Sequence, residues 1–97
     1  MSKRIWAFLF ILILFSSSLP GCYYFSATKE MKAAEQLISE LKAAGGPTLV
    51  PYEYTSAEKF LEVSRLEYKE SDYKSAKELA TRSKSAAEAG LAQVKKK

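Results

Sequence analysis

The chain has 97 residues, a formal net charge of +4, one cysteine and no histidine. That length holds at most one small domain. The single cysteine excludes an intrachain disulfide, and the missing histidine removes the commonest general base and metal ligand. Charges of both signs are interspersed, except for the terminal Lys95-Lys96-Lys97. There is no basic face and no aromatic–basic motif, so nucleic acid is not an expected partner.

The first element reads as a leader. Lys3-Arg4 is a short positive segment, and Ile5 to Phe15 is an unbroken apolar run of 11 residues. As a helix that run reaches about 16 Å, against a hydrocarbon core of about 30 Å. The length fits the apolar part of a signal peptide better than a membrane span. Keeping residues 5–25 as one uncleaved anchor would place three serines, a proline and a glycine inside the span.

After Ser16-Ser17-Ser18 comes Leu19-Pro20-Gly21-Cys22. This resembles the lipobox of bacterial lipoproteins, with Leu19 at −3, Gly21 at −1 and Cys22 at +1. Pro20 at −2 departs from the commoner small or hydroxyl residue. Each part has a chemical reason. A small Gly21 lets a peptidase reach the backbone, and the Cys22 sulfur is the nucleophile that takes a diacylglycerol thioether. The resemblance implies cleavage before Cys22, a signal peptide over 1–21 and a mature chain over 22–97. That chain carries 13 basic and 11 acidic side chains. Its acyl chains would anchor it at about 0.8 kcal/mol per buried methylene. Because Tyr23 is not aspartate, the proteobacterial sorting rule implies the outer membrane, facing the periplasm. Tyr23-Tyr24-Phe25 is expected either at headgroup depth or packed on the domain.

The mature chain reads as all-α. Ala27, Met31, Ala34, Ile38 and Leu41 recur four, three, four and three apart, one apolar stripe of a helix over about 27–44. Its start is expected near Ser26 or Thr28 and its stop at Gly45-Gly46-Pro47. Residues 47–54 carry two prolines and read as a loop. Leu49, Val50, Tyr52 and Tyr54 make that loop apolar. It either folds back over the bundle or forms a candidate partner-contact patch.

Thr55-Ser56-Ala57-Glu58 matches a capping box and is expected to open a second helix over about 55–70. Its buried face is Ala57, Phe60, Leu61, Ser64 and Tyr68. A turn at Ser71-Asp72 leads to a third helix over about 72–94. There Tyr73, Ala76, Ala80, Ser83, Ala87, Gly90 and Val94 make a stripe of small residues. Gly90 costs about 1 kcal/mol relative to alanine, so the last turn is expected to fray. Together the elements predict a small three-helix bundle.

Helices two and three look like one tetratricopeptide-type hairpin, with Phe60, Ser64 and Tyr68 at its large, small and aromatic positions. Ser71-Asp72-Tyr73 stands where such repeats carry Gly-Asp-Tyr, and Ala76 follows. The whole mature chain resembles the bacterial envelope lipoproteins of domain of unknown function 4398. The likeness rests on the lipobox, an alanine-rich first helix, a proline loop and Ala76-Lys77-Glu78-Leu79-Ala80 after the turn. It implies an envelope address and brings no activity with it.

Function is read accordingly. The expectation is a non-enzymatic, lipid-anchored scaffold for another envelope protein, with self-association open to so small a domain. A second reading is a cell-wall tether joined through Lys97, on resemblance to the small murein lipoprotein. Glu58 with Glu62, and Glu67 with Glu70, are carboxylate pairs at helical spacing. Such pairs ordinarily solvate a helix, and no nucleophile–base set or metal spacing accompanies them. No catalytic residue, metal or cofactor is expected.

Overall fold

In a computed structural model, residues 2–97 are described, with side chains described for 3–9 and 22–97. Among these residues the chain is all-helical. Four helices follow in order: α1 Ser2–Ala43, α2 Gly46–Leu49, α3 Pro51–Lys69 and α4 Tyr73–Lys96. The core joins Ala34 and Ile38 of α1, Ala57 and Leu61 of α3, and Ala87 of α4. Met31, Leu37, Tyr54 and Ala86 pack around it. The stripe read along α1 is the buried one: Ala27, Ala34, Ile38 and Leu41 are all inside.

The helix starts differ from expectation in two places. α1 does not begin at Ser26 or Thr28 but runs through them. The Thr28 hydroxyl donates to the Tyr24 carbonyl at 3.0 Å, one turn back, which is a helix-interior bond rather than a cap. Likewise Thr55 is not a cap, because α3 already starts at Pro51. The reading of 47–54 as a loop fails for a definite reason. Pro47 and Pro51 each sit in the first turn of a new helix, where the missing N–H has no intrahelical partner to lose. Gly45 makes the sharp turn between α1 and α2 at a φ of 87°.

The α3–α4 turn is two helix caps sharing one residue. Ser71 lies in the left-handed region at a φ of 65°. The Ser71 N–H donates to Tyr68 O at 3.0 Å and the Asp72 N–H to Glu67 O at 2.9 Å. These are the two bonds of a Schellman close to α3. Asp72 then caps α4, its carboxylate accepting from the Ser75 N–H at 3.2 Å.

α4 buries Ala76, Ala80, Ser83, Ala87 and Gly90. With no large side chain on that face, its neighbours come close. Two buried serines tie the α3–α4 pair reciprocally. Ser64 Oγ donates to Ala76 O, and Ser83 Oγ donates to Ala57 O, both at 2.6 Å. The two bonds lie two turns apart along each helix, so they hold one antiparallel register. Gly90 does not end α4. A Cβ there would stand 2.8 Å from Leu41 Cδ2 and 3.2 Å from Glu53 Cβ. A Cβ on Gly46 would meet Leu41 Cγ at 2.6 Å and the Leu41 carbonyl at 2.7 Å. Fully buried Leu41 thus fills the space that two glycines leave.

Two stability predictions follow from this packing. Leu41→Ala should cost about 2–5 kcal/mol, since the glycines around it offer no side chain to fill the cavity. Ser71→Gly should stabilise the chain by about 1 kcal/mol by relieving a left-handed serine. Chemical denaturation of the purified chain measures both.

Candidate functional site

Chemistry-bearing residues collect at the two ends of the bundle. At the first end, exposed Cys22 is followed by Tyr23, Tyr24 and Phe25 on α1. The Tyr24 ring lies 5.7 Å from Tyr68 at the end of α3 and 5.1 Å from Tyr73 at the start of α4. Tyr68 and Tyr73 are 5.2 Å apart, and Phe25 meets Tyr24 edge-on at 5.6 Å. Lys77 Nζ sits 5.7 Å from the centroid of the Tyr23 ring, at cation–π range. Of the two sequence expectations for Tyr23-Tyr24-Phe25, Tyr24 takes packing on the domain. Phe25 does not, being 74% exposed.

Hydroxyls knit the cluster. Thr28 Oγ1 and Tyr68 Oη are 3.4 Å apart. The Tyr24 phenol is pushed above its ordinary pKa, first by its hydrogen bond to Tyr68. The Tyr68 phenol is drawn down, first by its bond to Thr28 and then by Tyr24. Sequence periodicity had placed Tyr68 and Tyr73 on buried stripes. Their meeting with Tyr24 depends on where the hairpin turn stops against α1.

At the opposite end lie α2, the start of α3 and the C-terminus. The four candidate contact residues separate here. Tyr52 is 79% exposed and Leu49 is partly exposed, while Val50 is 2% exposed and Tyr54 packs against the core. Val50 is therefore core and not surface. Its carbonyl accepts from Tyr54 N at 3.0 Å, in the first turn of α3. The Tyr54 phenol is pushed up, first by its hydrogen bond to Glu58. Lys97 Nζ donates to Leu49 O at 2.6 Å, so the terminal amine caps a carbonyl at the end of α2.

Between the ends, α1 and α3 leave a groove of about 540 Å³. Ile38 and Leu61 form its floor, with Glu35, Glu58, Glu62 and Arg65 on its rim. Arg65 bridges it to Glu35 at 2.6 Å, an exposed pair of the kind that contributes about 0–1 kcal/mol. Of the paired carboxylates, Glu58 and Glu62 share this rim. Glu67 instead lies by the hairpin turn beside Asp72. Among the described residues, no group of three or more cysteine, aspartate or glutamate side chains is arranged to hold a metal ion. Leu19 and Gly21, expected to be part of a lipobox, lie outside the residues whose side chains are described.

The turn carboxylates titrate in opposite senses. Asp72 is held below its ordinary value, first by the Ser75 backbone N–H. Its stabilising contribution is present above the unfolded-state pKa of 3.8 and is lost as pH falls through the lower folded value. Glu67 is raised, first by desolvation and then by Glu70 and Asp72. Its contribution is present in acid below 4.5 and is lost as pH rises through the folded value. Glu67→Gln should therefore raise the unfolding midpoint at pH 7 and leave it unchanged near pH 2. Asp72→Asn should flatten the acid limb of the wild-type profile. Thermal melts across that pH range read both.

No protein-family model, curated protein or solved structure matches this chain.

Proposed function

We propose that this chain is a non-enzymatic, lipid-anchored lipoprotein of the bacterial cell envelope whose helical domain binds or scaffolds another envelope protein. In this reading residues 1–21 are a signal peptide and Cys22 carries the lipid. Residues 22–97 form a small three-helix bundle of α1 beyond the cut, α3 and α4, as the resemblance to that lipoprotein group implies. The bundle faces the periplasm from the outer membrane.

One observation carries the proposal. Ile5, Trp6, Phe8 and Leu9 of the most apolar stretch are exposed, Trp6 by 73%, whereas among the described residues the first buried side chain is that of Ala27. A segment this apolar, whose described side chains are exposed, is suited to a bilayer or to removal. Among the described residues no helix is long and apolar enough to cross a membrane. The Leu19-Pro20-Gly21-Cys22 sequence at the end of the run favours removal with acylation.

The partner surface is assigned to exposed Tyr52 and Leu49 and to the acidic groove rim of Glu35, Glu58 and Glu62. A tether through Lys97 is the second reading, favoured by the placement of Lys97 at the end away from Cys22. Against it, the Lys97 amine is already bonded to Leu49 O. Lysozyme digestion leaving a muropeptide on Lys97 would support the tether.

Two measurements test the main reading. Intact mass should show a chain starting at an acylated Cys22, and Cys22→Ala should stay unprocessed with its leader attached. Proximity labelling from the anchored chain should recover a discrete envelope protein, and Tyr52→Ala should reduce that yield several-fold. A full-length polypeptide with a bare thiol, or labelling spread evenly over the envelope, would refute it.

A further inference from the structure

Five of the eight aromatic residues after position 21 gather at one end of the bundle: Tyr23, Tyr24, Phe25, Tyr68 and Tyr73. They come from three helices, and the cluster is continuous with Cys22. We propose that this end is a bilayer-seating surface. Phe25, Tyr23 and the α3–α4 turn rest on phospholipid headgroups and hold the bundle upright, with α2, Tyr52 and Lys97 turned away from the membrane.

The occupant is set by the chain itself. The apolar run over Ile5–Phe15 lies on α1, which is one helix through Cys22. Whether that run is kept or replaced by acyl chains on Cys22, the bilayer lies at this end. Phe25 is three residues from Cys22, or about 4.5 Å along a helix. Its exposed ring is then at interfacial depth beside the anchor. Rings with one apolar body and one polar tip are favoured at that depth, as Tyr23, Tyr24, Tyr68 and Tyr73 are.

The packing turns a flexible contact into a fixed one. Tyr24 is wedged against Tyr68 and Tyr73, so the hairpin turn must follow α1 to the surface. The charges here are mixed. Lys69, Lys74 and Lys77 stand with Glu67, Glu70 and Asp72 around the turn. Seating therefore depends on aromatic insertion and not on net attraction to anionic lipid. At the other end, α1 from Cys22 to Ala43 is about 32 Å long. That length carries Tyr52 and Lys97 well clear of the headgroups.

The seating needs a bilayer at the Cys22 end, which the proposed function supplies through a lipid and an uncleaved leader would supply as well. The test uses the full chain in phosphatidylcholine vesicles containing lipids brominated near the headgroup. On a Trp6→Phe background, single tryptophans are placed by Phe25→Trp, Glu70→Trp and Tyr52→Trp. Glu70 is exposed on the turn, so its variant leaves the ring cluster intact, and circular dichroism checks the fold. Quenching of Phe25→Trp and Glu70→Trp should exceed that of Tyr52→Trp several-fold and persist at high salt. If Glu70→Trp is quenched no more than Tyr52→Trp, the bundle hangs free of the membrane and the proposal is overturned. Protection of Glu70→Trp only in native envelopes, and not in vesicles, would assign the surface to a protein and overturn it too. Intact mass on the same samples reports acylation separately. A bare Cys22 with the depth contrast preserved would refute the lipoprotein reading alone.

Discussion

The bundle depends on how closely α4 approaches its neighbours. Its buried face holds alanine, serine and glycine, and the largest buried side chain nearby, Leu41, comes from α1. Leu41 fits only because Gly46 and Gly90 present no Cβ. A chain this short cannot rely on a wide apolar core. It relies on small residues that bring backbones together, with dispersion spread over many short contacts. The two buried serines suit that geometry, since a hydroxyl reaches a facing carbonyl only where helices nearly touch. No buried side-chain polar atom among the described residues lacks a partner.

Close approach also explains why the connections are so short. α3 and α4 are joined through a cap that ends one helix and begins the next, with Asp72 serving both. α1 and α3 are joined through a single-turn helix between Gly45 and Val50. Each connection leaves little slack, so the hairpin turn has one position against α1. That position brings Tyr68 and Tyr73 onto Tyr24. The aromatic cluster is therefore a product of packing at the far end as much as of its own contacts.

The molecule is polar along its length. One end carries Cys22 and a knot of rings, and the other carries Tyr52, α2 and the terminal lysine. In the proposed lipoprotein these ends have different tasks, one meeting lipid and the other a protein. The acidic groove rim between them adds a second face for a partner, with the Arg65–Glu35 bridge across it.

Much of this was legible in the chain. The buried stripes of α1 and α4, the stop at Gly45 and the turn at Asp72 are local patterns. They follow from helical periodicity and from residues that favour caps. The Lys3-Arg4 pair, the apolar run after it and the lipobox likeness are also local, being short runs read in order. Other features needed three dimensions. Pro47 and Pro51 could break helices or begin them, and only the fold around Val50 decides that they begin them. Thr28 and Thr55 look like caps until the backbone passes straight through them. Gly90 reads as a weak point, yet its missing Cβ is what admits Leu41 from another helix. Which tyrosines meet, and which of Leu49, Val50, Tyr52 and Tyr54 reach solvent, is set by long-range packing. Local sequence determines where helices can exist and which side of each is apolar. The tertiary structure alone decides which small residues face which large ones, because that depends on register between helices distant in the chain.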